Sequence, residues 1–90
     1  MRSQDCTDIT DVLSDGPDPT ADPVGYAQAQ ILPLEQLSLG GDESMHTAVD
    51  RLDAAFTAFV GAHGSAQAQS AVQVTSAEDA LNVLCPGAAP

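Results

Sequence analysis

The chain has 90 residues, one domain's worth and near the lower limit of what folds unaided. Thirteen acidic residues face two arginines and no lysine, giving a formal net charge of −11 that repels anionic lipid surfaces and excludes a nucleic-acid role. Tyr26, Phe56 and Phe59 are its three aromatic residues, so the core is built from Leu, Val, Ile and much Ala. Alanine buries little apolar area, at roughly 25 cal/mol per Å², and such a thin core gains from a covalent staple.

In chain order, Met1-Arg2-Ser3-Gln4-Asp5 opens without the apolar stretch of an export signal. From Ser3 to Leu13, Cys6, Ile9, Val12 and Leu13 recur at helical spacing, while Asp5, Asp8 and Asp11 lie three apart on another face. This predicts a short helix capped by Ser3 or Asp5 and ended at Ser14-Asp15-Gly16. An acidic, Pro-rich connector follows, about residues 15–22. A calcium loop needs oxygens at regular short spacing, a Gly at the sharp turn and a closing bidentate acid. Asp15, Asp18 and Asp22 do not match that frame, so the connector reads as a solvated linker.

Asp22-Pro23 is a helix start, with Asp as N-cap and Pro at the first helical position. The apolar positions Val24, Ala27, Ile31, Leu34 and Leu37 or Leu39 then share one side. Pro33 lacks an N–H and crowds the carbonyl one turn back, which predicts two pieces, about Pro23–Leu32 and Leu34–Leu39.

The strongest periodicity runs from Asp42 to Val60, with Met45, Ala48, Val49, Leu52, Ala55, Phe56, Phe59 and Val60 on one face. Asp42 or Ser44 caps this helix, Glu43 complements its dipole, and Gly61 and Gly64 offer exits. Both phenylalanines lie here, so the remaining elements are expected to organise around it.

Ser65 to Val74 has weak periodicity, helical or locally extended. Thr75-Ser76-Ala77-Glu78 matches a T-x-x-E capping box and predicts a last helix, Ser76–Leu84, burying Ala77, Ala80, Leu81, Leu84 and Cys85. Pro86-Gly87 ends it and residues 86–90 form a tail. The sum is a single all-α domain, residues 1–90, a small bundle of four to five short helices.

Cys6 and Cys85 bracket this domain. An even cysteine count in a thin-cored chain reads as one disulfide, closing the first helix onto the last, and implies an oxidising compartment. The expected protein is therefore secreted or extracytoplasmic, in a mature form without its export signal.

Several groups invite chemistry. His46, Asp50, Asp53 and Thr57 recur at i, i+4, i+7 and i+11, a spacing at which imidazole and carboxylate share a divalent ion. The same stripe describes a solvated helix face, and no second His or Cys lies near in sequence; the surface reading is preferred and no metal is expected. His63, in Gly61-Ala62-His63-Gly64, suits the C-terminal carbonyls of its helix. Tyr26 with His46 or His63 offers haem ligands, but Ala-rich packing does not promise a wide cavity. No G-x-S-x-G, Walker A, H-E-x-x-H or C-x-x-C occurs, and no catalytic residue or enzymatic activity is expected.

The absent lysine, the Ala/Asp/Gln-rich helices, the early Cys6 and the ending Ala80-Leu81-Asn82-Val83-Leu84-Cys85-Pro86-Gly87 resemble small exported, Ala-rich helical proteins of high-GC actinobacteria, including lipoprotein-derived domains. The resemblance covers the chain in style, without a shared motif, and carries over no site residue. It implies a helical bundle pinned end to end that accompanies an envelope complex; the missing lipobox before Cys6 departs from membrane-anchored members. The expected function is a non-catalytic, extracytoplasmic protein-interaction module or accessory subunit, holding no cofactor. The alternative is a small-ligand carrier holding haem, a metal or a lipid between helices.

Overall fold

An amphipathic helix is stable only once its apolar stripe is covered, and the longest such stripe sets this architecture. A computed structural model, describing residues 2–90, shows four helices: α1 (Arg2–Ser14), α2 (Pro23–Glu35), α3 (Glu43–Gly61) and α4 (Ser65–Leu84). Among the described residues there is no strand. α3 packs against both α2 and α4, and α1 rests on α2, in a bundle of 40 × 22 × 21 Å. Met45, Ala48, Val49, Leu52, Ala55, Phe56 and Phe59 of α3 are all buried. Its N-cap is Asp42, whose Oδ1 accepts the Met45 N–H at 3.3 Å.

The Sγ atoms of Cys6 and Cys85 lie at disulfide distance, 2.03 Å, with their Cα atoms 5.4 Å apart. They tie α1 to the residue that caps α4, and Cys85 Sγ also touches Met45 Sδ at 3.7 Å. Cys6 of α1 and the end of α4 are thereby joined beside Met45 of α3.

Four local expectations are corrected. Neither Ser3 nor Asp5 caps α1, which runs from Arg2; Asp5 is buried, and both its carboxylate oxygens accept the Gly40 N–H at 3.1 and 3.2 Å. It anchors the loop between α2 and α3. Pro33 does not split α2, which runs unbroken to Glu35. So close to the C-terminus Pro33 withdraws a single donor, and Gln36 N–H closes the helix on Leu32 O at 3.1 Å. No second helix forms over Leu34–Leu39: Leu34 and Glu35 close α2, and the segment from Leu37 is irregular.

Ser65–Leu84 is one helix, so Thr75 and Glu78 form no capping box. Thr75 Oγ1 donates to the Ala71 carbonyl one turn back at 3.2 Å, as Thr7, Thr10 and Thr57 do to theirs. That bond satisfies a hydroxyl inside a helix without ending it. The tail also folds back: Ala88 and Ala89 are buried, and Asn82 Oδ1 accepts the Ala89 N–H at 2.8 Å.

The connector is a string of local turns. Asp18 Oδ1 accepts the Thr20 N–H at 2.8 Å, and Asp22 Oδ1 accepts the Gly25 N–H at 3.0 Å as N-cap of α2. A Cβ at position 25 would run into the Asp22 carboxylate, so this cap needs its glycine. Gln30, buried on α2, donates from Nε2 to the Asp15 carbonyl at 2.7 Å and holds the connector down.

Candidate functional site

α2, α3 and α4 meet where the sequence supplies small residues on two of the three faces. Ala27 of α2 and Ala71 of α4 leave space beside Phe56 and Phe59 of α3, and the result is a half-open cleft of about 190 Å³. Pro19, Pro23, Tyr26, Val74, Thr75 and Glu78 complete its lining. Tyr26 is buried; its hydroxyl donates to the Leu13 carbonyl at 2.6 Å, and its ring meets Phe56 edge to face with centroids 6.0 Å apart. Burial, and secondarily the charge of Glu78, pushes the Tyr26 phenol up to about 12.

Glu78 is the carboxyl group of this lining. Burial, reinforced by neighbouring Asp79, pushes it up to about 7. No hydrogen-bond donor or cation reaches it among the described residues. An uncompensated carboxyl group against aromatic rings can bind a proton or accept an external cation.

The remaining candidates lie elsewhere and are not brought together. His46 Nε2 is 2.6 Å from the Gly40 carbonyl at the start of α3. Exposed His63 follows the C-cap Ala62, roughly 25 Å further along the helix axis at 1.5 Å per residue. Asp50 is exposed, and Thr57 Oγ1 is spent on the Asp53 carbonyl at 2.9 Å. Among the described residues, no three His, Cys, Asp or Glu side chains are grouped to hold a metal ion. Tyr26, the other haem candidate, has its hydroxyl engaged in the interior.

Asp53 leaves the stripe for a different role. It faces Glu35 of α2, and burial, then the hydrogen bond to Glu35, then the charges of Glu35 and Asp50 push it up to about 6. Asp53 thus meets a second acid across the α2–α3 contact.

These raised values set a pH dependence. The ordinary values are 4.5 for Glu78 and 3.8 for Asp53, so the folded form holds both protons more tightly than the unfolded chain. Their stabilising contribution is fully present below the ordinary carboxyl range and is lost as pH rises through about 6 to 7. Thermal melts followed by circular dichroism are expected to give a higher Tm at pH 5 than at pH 8, and a flatter profile for D53N/E78Q. An equally steep profile in that double variant would assign the trend to general charge repulsion instead.

Glu78 was legible only in retrospect. Val74, Ala77, Glu78 and Leu81 fall at i, i+3, i+4 and i+7, which puts an acid on an apolar stripe once α4 is one helix. The T-x-x-E pattern at residues 75–78 equally suits a capping box, which masks the place of Glu78 on that stripe.

Searches of family models, curated proteins and solved structures find no match to this chain. Among the described residues, no helix is long and apolar enough to cross a membrane.

Proposed function

We propose that this chain is a non-catalytic protein-interaction module that works outside the cytoplasm, as an accessory subunit of an envelope or membrane protein complex. Its contact point is the α2–α3–α4 cleft. The observation that carries this reading is the cleft's size together with its lining. Small-molecule sites run from roughly 300 to 1,000 Å³, whereas a cavity of roughly 150 Å³ holds one benzene ring. At about 190 Å³ the cleft suits a single inserted side chain and is too small for haem. Two aromatic rings of α3 form its wall, as in the anchor pockets where interfaces concentrate their binding energy. The Cys6–Cys85 pairing favours an oxidising compartment, and the charge of −11 favours a basic partner.

The test is a pull-down from envelope extracts at low and high salt, with wild type and A71F, which fills the cleft from α4. A partner retained by wild type and lost by folded A71F is expected. Equal retention by both, or none by either, overturns the cleft as the contact point. Haem, metal or lipid found in the purified protein, by absorption, elemental analysis or mass spectrometry, would favour a carrier.

A further inference from the structure

Glu78 is a carboxyl group on the cleft wall to which no described residue offers a hydrogen bond or an ion pair. The carboxyl group is half-buried at the edge of an aromatic-walled cleft, with no cation or donor at hand among the described residues. Arg51, a cation whose contact is described, is committed elsewhere: it donates to exposed Ser76 Oγ at 2.9 Å and does not line the cleft. The carboxyl group is thereby open to a counter-charge offered by another molecule.

The cleft restricts what that molecule presents. Behind Glu78 the wall is apolar, formed by Phe56, Phe59 and Val74, with the Tyr26 ring beside it. The room is that of one side chain, not of a folded peptide segment. An occupant that satisfies both parts has an apolar stem and a cationic tip. Arginine fits better than lysine, since its planar guanidinium is weakly hydrated, stacks on aromatic faces and pairs with a carboxylate through two N–H groups. The excess of eleven negative charges attracts a basic protein chain and orients its approach.

We propose that the cleft receives an arginine side chain of a partner protein, its stem along the Phe56–Phe59–Val74 wall and its guanidinium on Glu78. This rests on the docking reading above and adds the chemistry of the docked residue.

The experiment is an NMR titration of the ¹⁵N-labelled full chain, at physiological salt, where long-range attraction to the acidic surface is screened. The probe is an acetylated, amidated pentapeptide with a central arginine between glycines and terminal leucines. Its comparison carries citrulline, the neutral isostere, in place of arginine. The arginine peptide is expected to shift the amide resonances of Tyr26, Phe56, Val74 and Glu78. It should bind about tenfold more tightly than the citrulline peptide, the scale of one charge-assisted contact. E78Q should remove that difference while keeping wild-type spectral dispersion.

Equal binding of both peptides at the cleft would overturn the arginine assignment and leave the docking reading standing. Shifts from neither peptide at the cleft, or shifts spread over the acidic surface, would overturn both. Butylguanidinium alone binding as tightly as the peptide would also overturn the proposal, making the cleft a small-cation site instead of a protein contact.

Discussion

Replacing Cys6 and Cys85 together by alanine is expected to lower the melting temperature by roughly 10–30 °C. The two residues lie 79 apart in sequence, so their bond closes nearly the whole chain into a loop. Closing a loop of that length restricts the unfolded chain, and removing a native disulfide from a small domain costs roughly 2–5 kcal/mol. For a domain this size, whose total stability is of the order of 5–15 kcal/mol, that is a large fraction. The loss should concentrate in α1. Its 13 residues are marginal as an isolated helix, and its other attachments include Ile9 and Leu13 in the core, the Tyr26 hydroxyl on the Leu13 carbonyl and the Asp5 contact to Gly40. Circular dichroism melts of the double variant against wild type measure the effect. Mass spectrometry of the non-reduced wild type should show two protons fewer than the dithiol. Two free thiols in protein produced under oxidising conditions, or an unchanged Tm, would refute the staple and remove the main argument for export.

F56A is expected to cost about 3–5 kcal/mol, the range for deleting a fully buried phenylalanine. Phe56 is 1% exposed and sits where α2, α3 and α4 converge. Removing it deletes the edge-to-face partner of Tyr26 and opens the floor of the cleft to water. Nearby alanines have no atoms with which to fill the gap, so collapse around the cavity is limited. Urea unfolding should show a lower midpoint at an unchanged m-value. V83A is the matched control: Val83 is 80% exposed, and its truncation should stay within about 0.5 kcal/mol of wild type. Comparable losses in the two variants would mean that the three-helix junction is not the core.

The candidate site shows why local pattern and tertiary role diverge. Glu78, Asp53 and Asp5 are acids in an acid-rich chain, and each fits a bland surface or capping role by sequence spacing alone. Each is instead set against a second element: Glu78 over the α2–α3–α4 cleft, Asp53 against Glu35, Asp5 against Gly40. An acid's neighbours on its own helix are fixed by the 3.6-residue repeat, whereas its neighbours on other helices depend on how the helices are docked. Gln30 makes the same point, its amide being buried because it reaches the backbone of Asp15, fifteen residues away.

What the sequence by itself determined is the set of features with strong local causes. The apolar stripe of α3 and its Asp42 cap, the Asp22-Pro23 start of α2, and the all-helical class follow from periodicity and capping chemistry within one or two turns. The pairing of Cys6 with Cys85 followed from there being two cysteines on the apolar sides of the end helices. Only the tertiary structure decided what depends on several weak preferences at once. Pro33 stays inside α2 because it falls where a single donor is lost near the helix end, and packing of Leu34 on the core outweighs it. Ser65–Leu84 forms one helix because docking Ala77 and Leu81 against α3 supplies the stability that weak periodicity at residues 65–74 lacks. The cleft belongs to the same class: it exists because two alanines on different helices face the same pair of phenylalanines, a coincidence that no single segment encodes.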